Sequence, residues 1–169
     1  MVYRVYVEKK TGFDNEARAL LADVREILGI PVEKIRIINR YDAEDIEEEL
    51  FKQCVNTVFS EPQMDTAGEG IDLSGARAFA VEYLPGQFDQ RADSAAQCIQ
   101  LVSMRNRPVI RTAKVYALYG NLTEKQIEAV KRHVINPVES REASLHKPKT
   151  LKIDHPVPSR VQTLEGFLD

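Results

Sequence analysis

Val5 and Val7 alternate with Arg4 and Tyr6 at the period of two that a strand requires, so Val2 to Glu8 is predicted as a strand. Gly12 marks a turn, and Asp14 is placed as a helix N-cap whose carboxylate accepts from the open amides of the first turn. Ala17, Leu20, Leu21, Val24, Ile27 and Leu28 then recur at helical spacing, until Gly29 stops the helix and Pro31 prevents its continuation. Val32 to Tyr41 is the next strand. Asp42 is expected to cap a short acidic helix from Ala43 to Val55, with Ile46, Leu50, Phe51 and Cys54 inward. Asn56 to Ser60 is predicted as a short strand, and residues 61–76, with three glycines and a proline, as a linker.

The second half follows the same order. Ala78 to Tyr83 is a strand, Leu84 to Asp89 a turn ending in a cap, and Ala92, Ala95, Ala96, Ile99 and Val102 a helical face. Val109 to Tyr119 is a long strand. Thr123 with Gln126 forms a capping box before a last helix carrying Ile127, Val130 and Val134 inward. The letters repeat too. Val7-Glu8, Gly12, Phe13-Asp14 and Ala17 match Val81-Glu82, Gly86, Phe88-Asp89 and Ala92, at an offset of 74 before the glycine and 75 after it. Val55 to Ser60 matches Ile135 to Ser140 at an offset of 80. These matches predict an α+β fold of duplicated βαβαβ units, 1–60 and 77–140, whose helices cover one face of each sheet. Asp14 and Asp89 should then occupy matching surroundings.

Composition narrows the function. Of 169 residues, 23 are Lys or Arg and 26 Asp or Glu, a net charge of −3, which offers no broad attraction to nucleic acid or anionic lipid. Two cysteines make no disulfide framework, no apolar run approaches the roughly 18 residues of a membrane helix, and Met1 to Val5 do not resemble a signal peptide. A reducing, cytoplasmic setting is expected. Residues 141–169 carry Pro148, Pro156 and Pro158 among lysines and show no sustained period, so they read as a connecting segment that continues into a longer chain.

Little in the chain points to catalysis. His133 ends a helix, His146 and His155 lie in the Pro/Lys segment, and no HExxH, GxSxG or phosphate-loop lysine occurs. Gly68 and Gly70 lack the third glycine and the strand-to-helix context of a dinucleotide loop. Cys98, among alanines, reads as a buried small hydrophobe. No catalytic or metal-binding residue is assigned. Leu84 to Gln97 exceeds what the fold needs, because the first repeat makes its turn without Pro85 or the inserted Gln87. Gly86, Gln87, Gln90, Arg91, Asp93 and Ser94 offer polar groups around a helix start, either as an ordinary polar face or as a docking edge.

At these residues a family resemblance enters. Val81 to Gln97, Arg111 to Tyr116 and Ile135 to Ala143 together resemble the N-terminal domain of the large single-chain phosphoribosylformylglycinamidine synthases. Asn56-Thr57-Val58 resembles the small S subunit of the three-component form. The resemblance implies a pseudo-dimer of S-like units, mainly antiparallel sheets with helices on one face. It implies a non-catalytic module of an ATP- and glutamine-dependent amidation in purine biosynthesis, coupling synthetase and glutaminase domains as its partners. ATP and Mg²⁺ would belong to the full-length enzyme, with no cofactor in this segment. Residues 141–169 would begin the linker toward the synthetase core. A stand-alone ferredoxin-like regulatory domain that binds a small metabolite is the alternative. A homodimer of the isolated chain is compatible with either.

Overall fold

The computed structural model describes residues 1–152. Strand β1 (Tyr3–Lys9) leads to helix α1 (Asn15–Glu26), β2 (Lys34–Glu44), α2 (Glu48–Cys54) and β3 (Asp65–Gly68). Then follow β4 (Ala76–Tyr83), α3 (Gln90–Ser103), β5 (Val109–Tyr119), α4 (Glu124–Val134) and β6 (Ser140–Ala143). The fold is α+β. All six strands form one antiparallel sheet in the order β3-β1-β2-β5-β4-β6, the same element order read from either edge. At its middle, β2 and β5 pair along their whole lengths, from Lys34 opposite Tyr119 to Glu44 opposite Val109.

Register decides which residues share a face, since cross-strand partners point to the same side. One face carries Val5, Ile35, Ile37, Tyr41, Phe79, Ile110, Tyr116 and Leu118, and all four helices pack on it. The helices group across the halves. Ala17, Leu20 and Val24 of α1 share a core with Ile127 and Val130 of α4. Phe51 and Cys54 of α2 share another with Ala92, Ala95, Ala96 and Ile99 of α3. Stacking of Tyr3 on Phe51 and of Phe79 on Tyr116 fixes the sheet beneath each group. Each half therefore contributes helices to both cores.

The helix-free face carries Ile38, Ala80, Val115 and Ala117 in a small third cluster, with Ile71 and Leu73 of the 69–75 crossing laid against it. Here the alternating set Val109, Ala113, Val115 and Ala117 points away from the helices. Charged residues occupy the rest of this face. Arg4, Arg40, Asp42 and Glu44 are all buried on it.

Several expectations are corrected. Asp42 caps no helix: β2 runs on through Glu44, and the Asp42 carboxylate takes Arg4 Nε at 2.6 Å and Nη2 at 2.8 Å. A central strand hydrogen-bonded on both sides outcompetes a local cap. Asn56 to Ser60 is not a strand. Val55–Phe59 is a π-helical extension of α2, held where Thr57 Oγ1 donates to Gln53 O and Ser60 Oγ to Val55 O. The third strand lies instead in the expected linker, at Asp65–Gly68, where it pairs with β1. The match at an offset of 80 thus joins unlike forms, because Ile135 to Glu139 leads through a turn straight into β6.

Asp14 and Asp89 also differ. Asp14 makes no side-chain cap; it accepts from Gly12 N at 3.2 Å and pairs with Arg18. Asp89 caps α3 through Ala92 N and reaches Thr112 as well. Where β5 offers the Thr112 hydroxyl, β2 has Ile37, which has none to offer. Cys98 is exposed and so is Val102, since the inward side of α3 is already taken by Ala92, Ala95, Ala96 and Ile99. Ile27 lies outside α1 and is exposed. The Thr123–Gln126 capping box is present as expected. Residues 144–152 cross the helix-free face rather than leaving the domain directly. His155, Pro156, Pro158 and the end of the connecting segment lie outside the described residues.

Candidate functional site

The turn before α3 is tight. Gly86 has φ +90°, a left-handed conformation that favours glycine, and Gln87 N donates to Leu84 O at 3.0 Å. Asp89 then fixes the helix start twice. Its Oδ1 accepts from Ala92 N at 3.0 Å, while its Oδ2 accepts from Thr112 N at 3.0 Å and Thr112 Oγ1 at 2.7 Å. The carboxylate joins helix to sheet, and this sets the direction of every side chain in the first turn.

The six expected docking residues separate by that geometry. Gly86, Gln87, Gln90 and Ser94 are exposed. Asp93 pairs with Arg107 beyond the end of the helix. Arg91 turns inward, is half-buried, and its Nη1 donates to Asn39 Oδ1 at 2.6 Å. Four residues are therefore brought together as one exposed edge, and two are committed to partners within the chain.

Arg91 stands between two clefts over the helix-bearing face. One, of about 450 Å³, is lined by Lys9, Asn39, Tyr41, Ser60, Asp65 and Arg91. The other, of about 150 Å³, is lined by Tyr83, Arg91, Thr112, Lys114, Tyr116 and Ser140. In the first, buried Asp65 accepts from Glu61 N at 2.8 Å, and its other oxygen lies 3.0 Å from Lys9 Nζ. Burial raises the Tyr41 phenol above its ordinary value, with nearby Arg91 acting against the shift. Burial raises Tyr116 to about 12, helped by Glu16. Both phenols are neutral at physiological pH. The Cys54 thiol is also raised by burial, away from the reactive thiolate. Among the described residues, no group of three or more His, Cys, Asp or Glu side chains is placed to hold a metal ion. The clefts present charged and hydrogen-bonding side chains.

Sequence reasoning passed over Asn39 and Lys114, which face each other across the β2–β5 seam. The offset of 75 held the signal, since it relates 39 to 114 and also Glu16 to Arg91. In the structure Glu16 pairs with Lys114 just as Arg91 bonds Asn39. It also passed over Arg36 and Arg40 of the helix-free face and read Asp42 and Glu44 as the start of a helix, where the period-two run Arg36, Arg40, Asp42 and Glu44 was the signal.

No family model matches the chain, and no curated protein matches it. No helix among the described residues is long and apolar enough to cross a membrane.

Proposed function

We propose that this chain is the N-terminal, S-like module of a phosphoribosylformylglycinamidine synthase, a part that couples glutamine hydrolysis to ATP-dependent amidation elsewhere in the enzyme. The observation that carries the reading is the single antiparallel sheet with the same element order from either edge and every helix on one face. Antiparallel sheet with helices on one face is what the resemblance implies of S-like units. The register supports the duplication as well: Asn39 opposes Lys114, residues 75 apart, at the centre of the seam. The unlike surroundings of Asp14 and Asp89 count against close equivalence of the two helix starts. In this reading the exposed edge Gly86, Gln87, Gln90 and Ser94 docks on the synthetase and glutaminase domains, while Arg91 holds the halves together.

Reconstitution tests it. A synthetase–glutaminase body of that family, made without its own N-terminal domain, is mixed with this chain and assayed for glutamine-dependent amidine formation. Restored turnover that falls when Gln87 and Gln90 are changed to Ala is the expected result. A body that neither binds the chain nor gains activity overturns the proposal.

A further inference from the structure

On the helix-free face, Arg4, Arg40 and Arg111 lie around Asp42. Asp42 lies opposite Arg4 on one side and Arg111 on the other, and Arg40 is two residues away on the same strand face. Arg4 takes both Asp42 oxygens, at 2.6 and 2.8 Å. Glu82, the other acid at this place, accepts from Arg141 Nε at 2.8 Å. Asp42 and Glu82 are thus each engaged by a guanidinium, and Glu44, two residues from Asp42 on the same face, is engaged by Thr150 Oγ1 and the Leu151 amide.

Two cations are left over. Arg40 is 95 % buried, yet the one hydrogen bond of its side chain among the described residues is from Nη1 to Ser144 O at 2.8 Å. The Arg111 side chain makes no hydrogen bond or ion pair among the described residues. Burial and, after it, the neighbouring Arg4 push the Arg40 pKa down, against the opposing pull of Asp42 and Glu82. Both line a cleft of about 160 Å³, together with the engaged carboxylates Asp42 and Glu82 and with Ser144, His146 and Thr150 of the crossing segment.

We infer that this cleft is an oxyanion seat, in which Arg40 and Arg111 hold the phosphoryl or sulfuryl group of a small molecule beneath residues 144–150. Guanidinium forks match the tetrahedral oxygens of such groups, and the Ser144 hydroxyl and His146 imidazole of the rim add donors. Exposed strap residues form only one wall, so a ligand enters without unfolding the sheet. The seat lies on the opposite side of the sheet from Arg91 and its clefts, and the inference does not depend on the proposed function.

The test is titration of the full chain with inorganic phosphate at constant ionic strength, followed by amide and arginine side-chain NMR. Saturable shifts at Arg111, Ser144, His146 and Thr150 are expected. Arg111→Gln should weaken phosphate binding about tenfold or more, the loss of a charge-assisted hydrogen bond, and Arg111→Lys should weaken it less. Arg132→Gln, an exposed cation on α4, should leave it unchanged. Shifts that grow without saturating, or equal weakening by the Arg111 and Arg132 variants, overturn the seat. If Arg111→Gln does not fold, unchanged binding by Arg111→Lys with no shift at Thr150 overturns it as well.

Discussion

Arg91, at the start of α3, donates to Asn39 Oδ1 on β2 at 2.6 Å, tying the second half of the chain to the first across the central seam. Lys114 and Glu16 make the reciprocal tie, from β5 to the start of α1. Each helix start is anchored on the other half's long strand, and this gives Arg91 a structural duty. Arg91→Ala is expected to cost about 1–2 kcal/mol, because it removes a charge-assisted bond and leaves the Asn39 carbonyl short of a donor. Gln87→Ala, Gln90→Ala and Ser94→Ala should each stay within about 0.5 kcal/mol, as exposed groups do. Urea unfolding of the four variants checks this. An unchanged Arg91→Ala midpoint would return Arg91 to the exposed docking edge.

Asp89 and Asp14 offer a second contrast. Asp89→Ala removes a cap and two bonds to Thr112, and the expected loss is about 2–3 kcal/mol, or a melting temperature lower by roughly 4–12 °C. Asp14→Ala, with no side-chain cap to lose, should move it far less. Thermal melts of both variants, with Thr112→Val and the Asp89/Thr112 double variant, would measure the coupling directly.

The crossing segment has an acid latch. The Leu151 amide, donating to Glu44 Oε1 at 2.8 Å, holds the Glu44 carboxyl below its ordinary pKa; the Thr150 hydroxyl at 2.9 Å and the chain's N-terminus add to this against the cost of burial. A depressed folded pKa means that the latch stabilises fully above the ordinary glutamate value of about 4.3. It is lost as pH falls from there through the lower folded value. The Leu151 amide resonance should collapse in that window. At neutral pH, Glu44→Gln should speed tryptic cleavage after Lys149 and Lys152, and unchanged cleavage would show that the segment is held by other contacts.

Tyr116 supplies the alkaline counterpart. Its folded pKa is about 12, raised chiefly by burial, against about 10 in the unfolded chain. Stability from the neutral phenol is complete below pH 10 and is lost as pH rises from there through 12. Tyr116→Phe should flatten the fall in unfolding free energy over that interval. Tyrosinate absorbance during the titration should show one ionisation fewer before the cooperative unfolding.

The two thiols should separate cleanly. Cys98 is exposed on the outer side of α3, whereas Cys54 is 2 % exposed with its thiol pKa raised by burial. A thiol reagent should consume one equivalent rapidly in the native chain and the second only on unfolding. Cys98→Ser should abolish the fast phase.

Periodicity alone marked β1, α1, α3, the long β5 and α4, because each buries one side of a regular element and its capping signals are local. It misread Asp42 and the linker residues Asp65 to Gly68 for one shared reason: each depends on what lies beside it in the sheet. Asp42 looks like a cap until Arg4 and a strand on either side are present. Asp65 to Gly68 looks like linker until β1 offers its edge. The pattern pointed to an α+β fold but not to β2 meeting β5, nor to α1 sharing its core with α4 and α2 with α3. Strand pairing is a non-local choice made by backbone hydrogen bonds and by which apolar faces can be covered at once, and a linear pattern does not encode it. The same holds for the sites. Gly86, Gln87, Gln90 and Ser94 were legible as an exposed edge because they adjoin in sequence. The Arg91–Asn39 tie and the Arg40–Arg111 cleft exist only because the sheet brings distant charges onto one face.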